Sequence, residues 1–427
     1  MNRRHLLKAS LASFAALPSI SRAATETGVA ANVEAAHREI WRRFIDKHHV
    51  MLDFAMPDGS VSIPTPEECK LGKPNALGWW SPIENGAMFN GLYMDAAVNR
   101  WRVTHKEEDA ARSRQLAEGL MLLSSISQVK GFVGRGIATD SVSHYPMGSN
   151  DQTLPWFMGL WRYLDAGLAS AEERQRITAR MVETAEIIVS LKWQMPAEEP
   201  FRIRGSFADF AFHSAPRVLF VTKALHQLTQ DSKWEAMYRE ALHARASADK
   251  PSRLEFCERG MVFEHGGRHS WTSSCGVTSI RALWEMEKDE TLRAAYARGL
   301  EASAVLAMQS LPLAQDFKLD DPRTFDPDWR KLNATWTLQT TEKQAQDVAE
   351  VQSRNLNKIA PRRVMEFNNM REPVFAAWIV TMGTDKAALN QRRADVEKVL
   401  GHYRYPELYY SQFFPAECAW WRLRLAE

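Results

Sequence analysis

The chain has 427 residues and a formal net charge of +2, so it has neither the basic field that binds nucleic acid nor a polybasic patch for a membrane surface. Its 15 tryptophans, nine tyrosines and 19 phenylalanines are rings that fill a helical core or stack on sugars. The four cysteines are widely spaced without a C-x-x-C pair, which argues against a zinc ribbon or a redox motif. One or two disulfides remain open, but buried thiols are the interpretation we favour.

The first 23 residues have the layout of a cleaved export signal. Arg3-Arg4 precedes a short apolar run over residues 9–17, and Ser21-Arg22-Ala23 offers the small residues at which a signal peptidase cuts. The arginine pair resembles the twin-arginine signal of bacteria, and an ordinary Sec signal is the alternative. We therefore predict a periplasmic or secreted protein, with no membrane insertion after signal removal and a single domain over residues 31–427.

Apolar residues at helical spacing predict helices over most of the remaining chain. Strand-like alternation is limited to residues 201–204 and 261–263, so the predicted fold class is all-α. The predicted helices cover residues 33–54, 85–103, 107–129, 152–166, 171–192, 214–229, 233–246, 271–287, 290–310, 329–359 (broken once), 372–383 and 386–403.

The connections between these helices alternate in length. Short turns, such as residues 101–105 and 168–170, join helices into hairpins, whereas long segments separate one hairpin from the next. This alternation predicts an (α/α)6 toroid in which the long loops share one rim and build a cleft, with a superhelical solenoid as the competing arrangement. The long connections are residues 56–83, 130–150, 193–213, 247–270, 311–328 and 360–371.

Three segments are similar to those of the six-hairpin, (α/α)6-toroid glycosidase-like proteins. Residues 90–94, N-G-L-Y-M, resemble the D-G-L-Y-M of hydrolases that cleave unsaturated uronyl sugars, with Asn90 in place of the aspartate that is catalytic there. Residues 149–152, S-N-D-Q, are similar to the S-R-D-Q that opens an inner helix in the superfamily, which implies that Asp151 faces the cleft. Residues 271–285 resemble an inner helix followed by its outer partner. The resemblance implies a carbohydrate substrate and a uronyl hydrolase or polysaccharide lyase activity.

The loop before the helix at residues 85–103 combines a carboxylate with aromatic rings. Glu84 lies at the helix start, behind Trp79 and Trp80 and ahead of Asn85. A helix dipole stabilises a carboxylate there, and a carboxyl group beside aromatic platforms suits a sugar site. The structural alternative is that Glu84 only caps its helix while the two tryptophans pack beneath the loop.

The loop over residues 130–150 and the helix start after it form the strongest candidate segment. A plain N-cap would account for Asp151 but not for the other polar side chains of the loop, so we interpret the segment as a site. Its candidate residues are Arg135, Asp140, His144, Tyr145 and Asp151.

Two further loops are predicted to bind substrate. Arg202 and Arg204 alternate on an extended piece, so both side chains could face a cleft and bind a uronate carboxylate, or pair with surface carboxylates instead. His265 and His269 raise the question of a metal site, but two intervening glycines argue against a helical pair, and we predict no metal and no cofactor. The loop over residues 366–372 is interpreted as a helix cap. The substrate-binding candidates of the two loops are Arg202, Arg204, His213, His265, His269 and Trp271.

Three classes of function follow from these residues. A glycoside hydrolase would use Glu84 and Asp151 as its two carboxyl groups, with Asp140 as the substitute. A polysaccharide lyase would remove the proton alpha to a uronate carboxyl with a His or Tyr base, while Asn or Arg neutralises that carboxyl. A sugar-binding protein would need the aromatic rings alone. The hydrolase is the predicted function, the lyase is the alternative, and a uronic-acid-containing oligo- or polysaccharide is the predicted substrate of either enzyme.

Overall fold

The computed structural model describes residues 17–263 and 267–427, and their side chains from residue 28 onward. Most of the described residues are helical, which confirms the all-α prediction, and strands β1 (Gln194–Pro196) and β2 (Ile203–Ser206) form a small antiparallel pair. The arginine pair of the predicted export signal lies outside the described residues. The helices are α1 Leu17–Glu39, α2 Pro66–Leu71, α3 Gly86–Thr104, α4 Glu107–Leu123, α5 Asn150–Asp165, α6 Ala171–Ser190, α7 Ala215–Thr229, α8 Ser232–His243, α9 Arg253–Arg259, α10 Ser270–Met286, α11 Glu290–Ala307, α12 Glu342–Ile359, α13 Pro361–Glu366, α14 Glu372–Val380, α15 Lys386–Leu400 and α16 Pro415–Leu425.

The predicted helix boundaries fail at a few places. The helix predicted over residues 33–54 is wrong beyond residue 44, because α1 passes into a π-helical turn at Ile40–Phe44 and the chain then folds back to pair Ile45 with Met51. The strand predicted at residues 261–263 is absent. The short helices α2, α9, α13 and α16 were not predicted. All four cysteines are buried thiols, which confirms the favoured interpretation.

Six of the described helices are buried along most of their length: α3, α5, α7, α10, α14 and α16. Each of these helices contacts the next in this order, and α16 contacts α3. Each of the first five is followed in the chain by a helix that packs against it; these following helices are α4, α6, α8, α11 and α15. Helix α1 packs against α15 and α16. One apolar core runs through all of them, from Val29 to Leu423. None of the helices in the described part of the chain is both long and apolar enough to cross a membrane.

The N-G-L-Y-M segment on α3 is part of this core. The Asn90 side chain is fully buried, donates to the carbonyl oxygens of His49 (2.6 Å) and Leu116 (3.3 Å), and accepts the N–H of Met51 (2.8 Å). A side chain at Gly91 would collide with the backbone of α5, so glycine permits the close approach of the two helices. Asn90 therefore joins segments of the fold, because an amide can donate to carbonyl groups and an ionised carboxylate cannot.

Charged and polar side chains in the middle or C-terminal half of five of the six buried helices bond to one another: α3, α5, α10, α14 and α16. Asp95 of α3 accepts two hydrogen bonds from Arg422 of α16, each 2.7 Å long, and one from the indole N–H of Trp378 on α14 (3.0 Å). Arg162 of α5 donates to Glu285 of α10 over 2.6 Å. These buried charges are paired and hydrogen-bonded, as burial requires.

Candidate active site

A cleft of about 640 Å³ lies where the N-terminal ends of α3, α5, α7 and α10 meet the segment before α14. Five of the residues predicted from the sequence line it: Asp151, Arg204, His213, His269 and Trp271. Arg217 and Arg371 also line it and were not predicted. The cleft therefore combines one carboxylate with three arginines, two histidines and a tryptophan.

Asp151 and Arg217 form an ion pair at the N-terminal ends of α5 and α7. The Arg217 Nη2 atom lies 3.1 Å from Asp151 Oδ1, and the side chain of Asp151 is 52% exposed while that of Arg217 is 4% exposed. The Nε and Nη1 atoms of Arg217 are buried and have no hydrogen-bond partner among the described residues. A buried guanidinium with two unused N–H groups can bind an anion that enters the cleft.

Glu84 lies in a recess at the start of α3. Its Oε2 atom accepts the backbone N–H of Trp80 over 2.7 Å, and its carbonyl oxygen accepts Arg135 Nη1 over 3.0 Å. Burial raises the pKa of the Glu84 carboxyl, and the hydrogen bond from Trp80 and the charges of Arg135 and Arg363 offset only part of that rise. The side chain keeps some exposure to solvent. Glu84 can therefore hold a proton to a higher pH than an exposed glutamate and exchange it with a ligand.

Asp53 lies beside Glu84, fully enclosed by protein. It accepts the backbone N–H and the side-chain Nδ2–H of Asn85, both over 2.7 Å, and so caps α3. Burial and the neighbouring charge of Glu84 raise the pKa of Asp53 well above its ordinary value. Two carboxyl groups in one recess cannot both ionise readily, so they hold a proton between them.

Hydrogen bonds tie the starts of α3 and α5 together. Gln152, which follows Asp151, donates to Asn85 Oδ1 over 3.2 Å and accepts the N–H of Met88 over 3.1 Å. Arg135 lies behind the same junction and donates to the carbonyl oxygens of Glu84, Met147 and Gly148. Glu84 and Asp151 therefore lie at the starts of neighbouring helices. Each comes directly before one member of the hydrogen-bonded pair Asn85 and Gln152 in the chain.

A stack of alternating aromatic rings and guanidiniums borders the cleft, and we call it the arginine–aromatic stack. Arg371 lies 4.3 Å from the ring centre of Trp271 and 3.9 Å from that of Phe367. Arg363 lies 4.1 Å from the ring centre of Phe367 and 4.7 Å from that of Trp80. Three of the rings are partly exposed, so the stack presents both flat apolar faces and positive charge.

Several predicted site residues do not line the cleft and hold loops instead. Asp140 is exposed and accepts the N–H groups of Val142 and Ser143, which closes a turn. His144 bonds Glu198 over 3.0 Å. Tyr145 is 1% exposed, and its hydroxyl donates to the carbonyl oxygen of Lys73. None of Asp140, His144 and Tyr145 lies among the cleft-lining residues.

The two arginines of the second loop face different surroundings. The prediction that both could face one side is wrong, because Arg202 precedes β2 with φ of +64° and its side chain is 79% exposed beside Glu199. Arg204 turns into the cleft, where it pairs with Glu342 over 2.8 Å and lies 6.0 Å from the ring centre of Trp79.

His265 lies outside the described residues. Over the remainder of the chain, from residue 28, no cluster of three or more His, Cys, Asp or Glu side chains could hold a metal ion.

Two arginines of the cleft were missed by the sequence reasoning: Arg217 follows a long loop by a few residues, and Arg371 ends another. Arg217 lies in A-P-R-V-L-F-V, an otherwise apolar helix start, and Arg371 lies in the loop interpreted as a cap. A charge inside an apolar run was the available signal, because such a charge is buried and needs a partner. Asp53 carried no signal of its own, since its partner Asn85 is 32 residues away.

Comparison with protein-family models, with curated proteins and with solved structures gave no match for this chain. The assignment of function therefore depends on the cleft itself.

Proposed function

We propose that this protein is a glycoside hydrolase that acts on a carbohydrate containing uronic acid. The observation that carries the proposal is the pairing of unlike carboxyl groups at neighbouring helix starts. Glu84 is recessed and has a raised pKa, whereas Asp151 is exposed in the cleft and paired with Arg217. Glycosidases need one carboxyl group that keeps its proton and one that stays ionised, and a difference in surroundings is what separates the two roles.

In this proposal Glu84 is the general acid and Asp151 the general base or nucleophile. Glu84 gives its proton to the oxygen of the leaving sugar, and the Trp80 N–H bond orients the carboxyl group. Arg217 donates to Asp151 over 3.1 Å and so orients its carboxylate in the cleft. Asp53 is a positioning residue, since it holds Asn85 and the α3 start on which Glu84 lies.

The cleft walls support an acidic sugar as the substrate. The unused N–H groups of Arg217 suit a carboxylate, which an arginine binds through two parallel hydrogen bonds. Trp271 offers a partly exposed ring on which a sugar can stack. His213 and His269 add groups that can hydrogen-bond sugar hydroxyls.

The proposed architecture is the (α/α)6 toroid of the six-hairpin glycosidase-like superfamily. Its support is the order of contacts among α3, α5, α7, α10, α14 and α16, in which the last helix returns to the first. The helices between them in the chain lie outside this succession, as the outer members of hairpins would.

Export to the periplasm or the exterior is also proposed, on the strength of the N-terminal sequence. Replacement of Arg3-Arg4 by Lys-Lys should retain the protein in the cytoplasm. Undiminished export of that variant would contradict the twin-arginine interpretation and leave a Sec signal.

The enzymatic proposal is tested with Glu84→Gln and Asp151→Asn, assayed for reducing-sugar release from a panel of uronic-acid glycans. Each change keeps the shape of the side chain and removes its titratable group, so each should lower kcat by about 10²-fold or more. Asp140→Asn and Glu199→Gln make the same chemical changes at exposed positions outside the cleft and should leave kcat unchanged. Glu84 lies outside the cleft-lining residues, in the recess beside them. Full activity in both Glu84→Gln and Asp151→Asn would refute the assignment.

A polysaccharide lyase is the second candidate, favoured by the presence of His213 and His269 beside arginines in the same cleft. A lyase would take the proton alpha to the uronate carboxyl and leave a double bond in the product. Rising ultraviolet absorbance during digestion, lost in His213→Ala or His269→Ala but kept in Glu84→Gln, would replace the hydrolase by the lyase.

A further inference from the structure

Arg363 and Arg371 of the arginine–aromatic stack form no salt bridge with a carboxylate among the described residues. Arg363 is 7% exposed, and its one hydrogen bond goes to Asn357 Oδ1 over 2.7 Å. Arg371 donates to Gln412 Oε1 over 3.3 Å. Both Nε atoms are buried and without a hydrogen-bond partner among the described residues.

A buried Nε without a partner also occurs in other arginines of the described chain. Four of these pair with a carboxylate, and the fifth, Arg293, lies on the ring of Trp284; the four are Arg204, Arg217, Arg362 and Arg393. Arg422 bonds Asp95 with two nitrogens, and Arg162 bonds Glu285. Arg135 has no carboxylate partner but donates to three carbonyl oxygens and a hydroxyl. Burial of a charge is costly unless it is paired or fully hydrogen-bonded. Arg363 and Arg371 satisfy neither condition, because no described carboxylate forms a salt bridge with either of them.

The two guanidiniums also repel each other. Both contact the ring of Phe367, at 4.1 Å and 3.9 Å from its centre. Burial lowers the pKa of Arg371 to about 9, and the charge of Arg363 adds to that shift. Glu84 is the carboxyl group whose charge acts on both arginines, and its own pKa is raised. An anion bound at these guanidiniums would offset the repulsion between their charges.

We propose that Arg363 and Arg371 form a second anion subsite, which binds a carboxylate or sulfate group of the substrate in addition to the group bound by Arg217. The substrate is then an oligosaccharide with at least two anionic groups along its chain. The partly exposed rings of Trp271, Phe367 and Trp80 give the sugars of that chain surfaces on which to stack. This inference rests on the proposed function for the nature of the ligand.

The test is calorimetric binding of size-matched oligosaccharides to the full-length protein. The anionic probes are oligouronates of two and four sugars. The neutral probes are the same oligomers after reduction of their carboxyl groups. A third set carries sulfate groups on the reduced oligomers in place of the carboxylates. The wild-type protein should bind the four-sugar anion most tightly, and a preference for uronate or for sulfate identifies the anionic group.

Arg363→Met and Arg371→Met remove the charge and keep a long apolar side chain. Each should weaken binding of the four-sugar anion by about tenfold or more and leave binding of the neutral oligomer unchanged. Arg202→Met is the matched control, because Arg202 is exposed and outside the cleft, and it should bind like the wild type. If a methionine variant fails to fold, as judged by its thermal unfolding, Arg→Lys at the same position keeps the charge and should bind with intermediate affinity.

Equal affinity of the wild type for anionic and neutral oligomers, or undiminished binding by folded variants of both arginines, would overturn the subsite. Failure of the hydrolase proposal looks different, since anionic oligomers would bind with the predicted preference and never be cleaved. Cleavage without any charge preference would leave the hydrolase proposal standing and refute the subsite alone.

Discussion

Glu84 and Asp53 are two carboxyl groups of unequal accessibility at the start of one helix. Glu84 keeps contact with solvent and Asp53 does not. Because burial raises the pKa of both groups, the pair retains a proton into a pH range in which exposed carboxyl groups are ionised. The titration belongs to the pair, but only Glu84 can pass the proton to a ligand.

The first prediction is an alkaline limb in the pH profile. If protonated Glu84 is the acid, kcat/KM should fall as pH rises through the raised pKa, which lies above the ordinary value of 4.5. In Glu84→Gln the limb should disappear together with most of the activity. The measurement is kcat/KM from pH 4 to 9 on the preferred glycan. A wild-type profile without an alkaline limb, or the same limb retained in Glu84→Gln, would rule out this role.

The second prediction concerns Asn90. In Asn90→Asp, a carboxylate would face the carbonyl oxygens of His49 and Leu116 and lose two hydrogen bonds as a donor. We expect the free energy of unfolding at pH 7 to fall by about 2–4 kcal/mol, the usual cost of a buried charge left without a partner. Urea unfolding measures it. Asn390→Asp on the exposed face of α15 is the control, and equal losses in both variants would contradict the explanation.

At the scale of elements, side chains from neighbouring segments cap the buried helices. Asp53 caps α3, and Glu372 at the start of α14 accepts the N–H of Ser270 at the start of α10, with 2.9 Å to each carboxylate oxygen. Gln152 at the start of α5 accepts an N–H of α3. These caps satisfy helix donors that would otherwise be buried without partners, and they fix the helix starts that line the cleft.

The third prediction follows from Gln152. Gln152→Ala removes the bonds to Asn85 and Met88, so the free energy of unfolding should fall by about 1–3 kcal/mol. Because the bond joins the positions beside Glu84 and Asp151, kcat should fall more than KM changes. Chemical unfolding and steady-state kinetics test both effects. Gln391→Ala, at an exposed position of α15, should change neither, and a variant of Gln152 with wild-type kcat would contradict the positioning role.

The helix periodicity was sufficient to predict most elements, including the fully buried α14, but not α16. The helix predicted at residues 85–103 matches α3 because its ends carry clear turn signals. Helix α16 was missed because residues 415–423 are all buried, so the segment has no polar face and no amphipathic period. The helix predicted over 33–54 ends early because Ile45 pairs with Met51, and no pattern in the neighbouring sequence predicts that pairing.

The candidate site was predicted in part for a related reason. Asp151, Arg204 and Trp271 were found because they lie in long loops or at the helix starts after them, where the sequence is visibly polar or aromatic. The interpretation of Asp140 and Tyr145 as site residues used the same signal, but these side chains bond their own loop or pack beneath it. A loop sequence reports which polar groups exist, and only the packed structure decides which of them point into the cleft.

At the scale of the whole molecule, three buried carboxyl groups favour the folded state in acid. Asp53 and Glu84 have raised pKa values, and burial raises the pKa of Glu366 to about 7, although the N–H groups of Tyr409 and Tyr410 donate to it. A group that holds its proton more tightly when folded stabilises the fold below its ordinary pKa of 4.5. That stabilisation is lost as the pH rises through the folded value.

The fourth prediction is that the wild-type protein loses stability between pH 4.5 and 7 relative to Glu366→Gln. The loss from this one group should approach about 1.4 kcal/mol per pH unit at most. Urea unfolding at pH 4.5, 5.5, 6.5 and 7.5 tests it. Glu350→Gln, at an exposed position of α12, should follow the wild-type curve. Parallel curves for the wild type and Glu366→Gln would refute the prediction.

The charged side chains around Asp95 affect how a ligand can enter and leave the cleft. They lie in the middle or C-terminal half of the buried helices, while the cleft opens at the N-terminal ends. If the protein is the hydrolase proposed above, substrate and product use the same cleft at the helix N-termini, so the released product is expected to compete with the substrate.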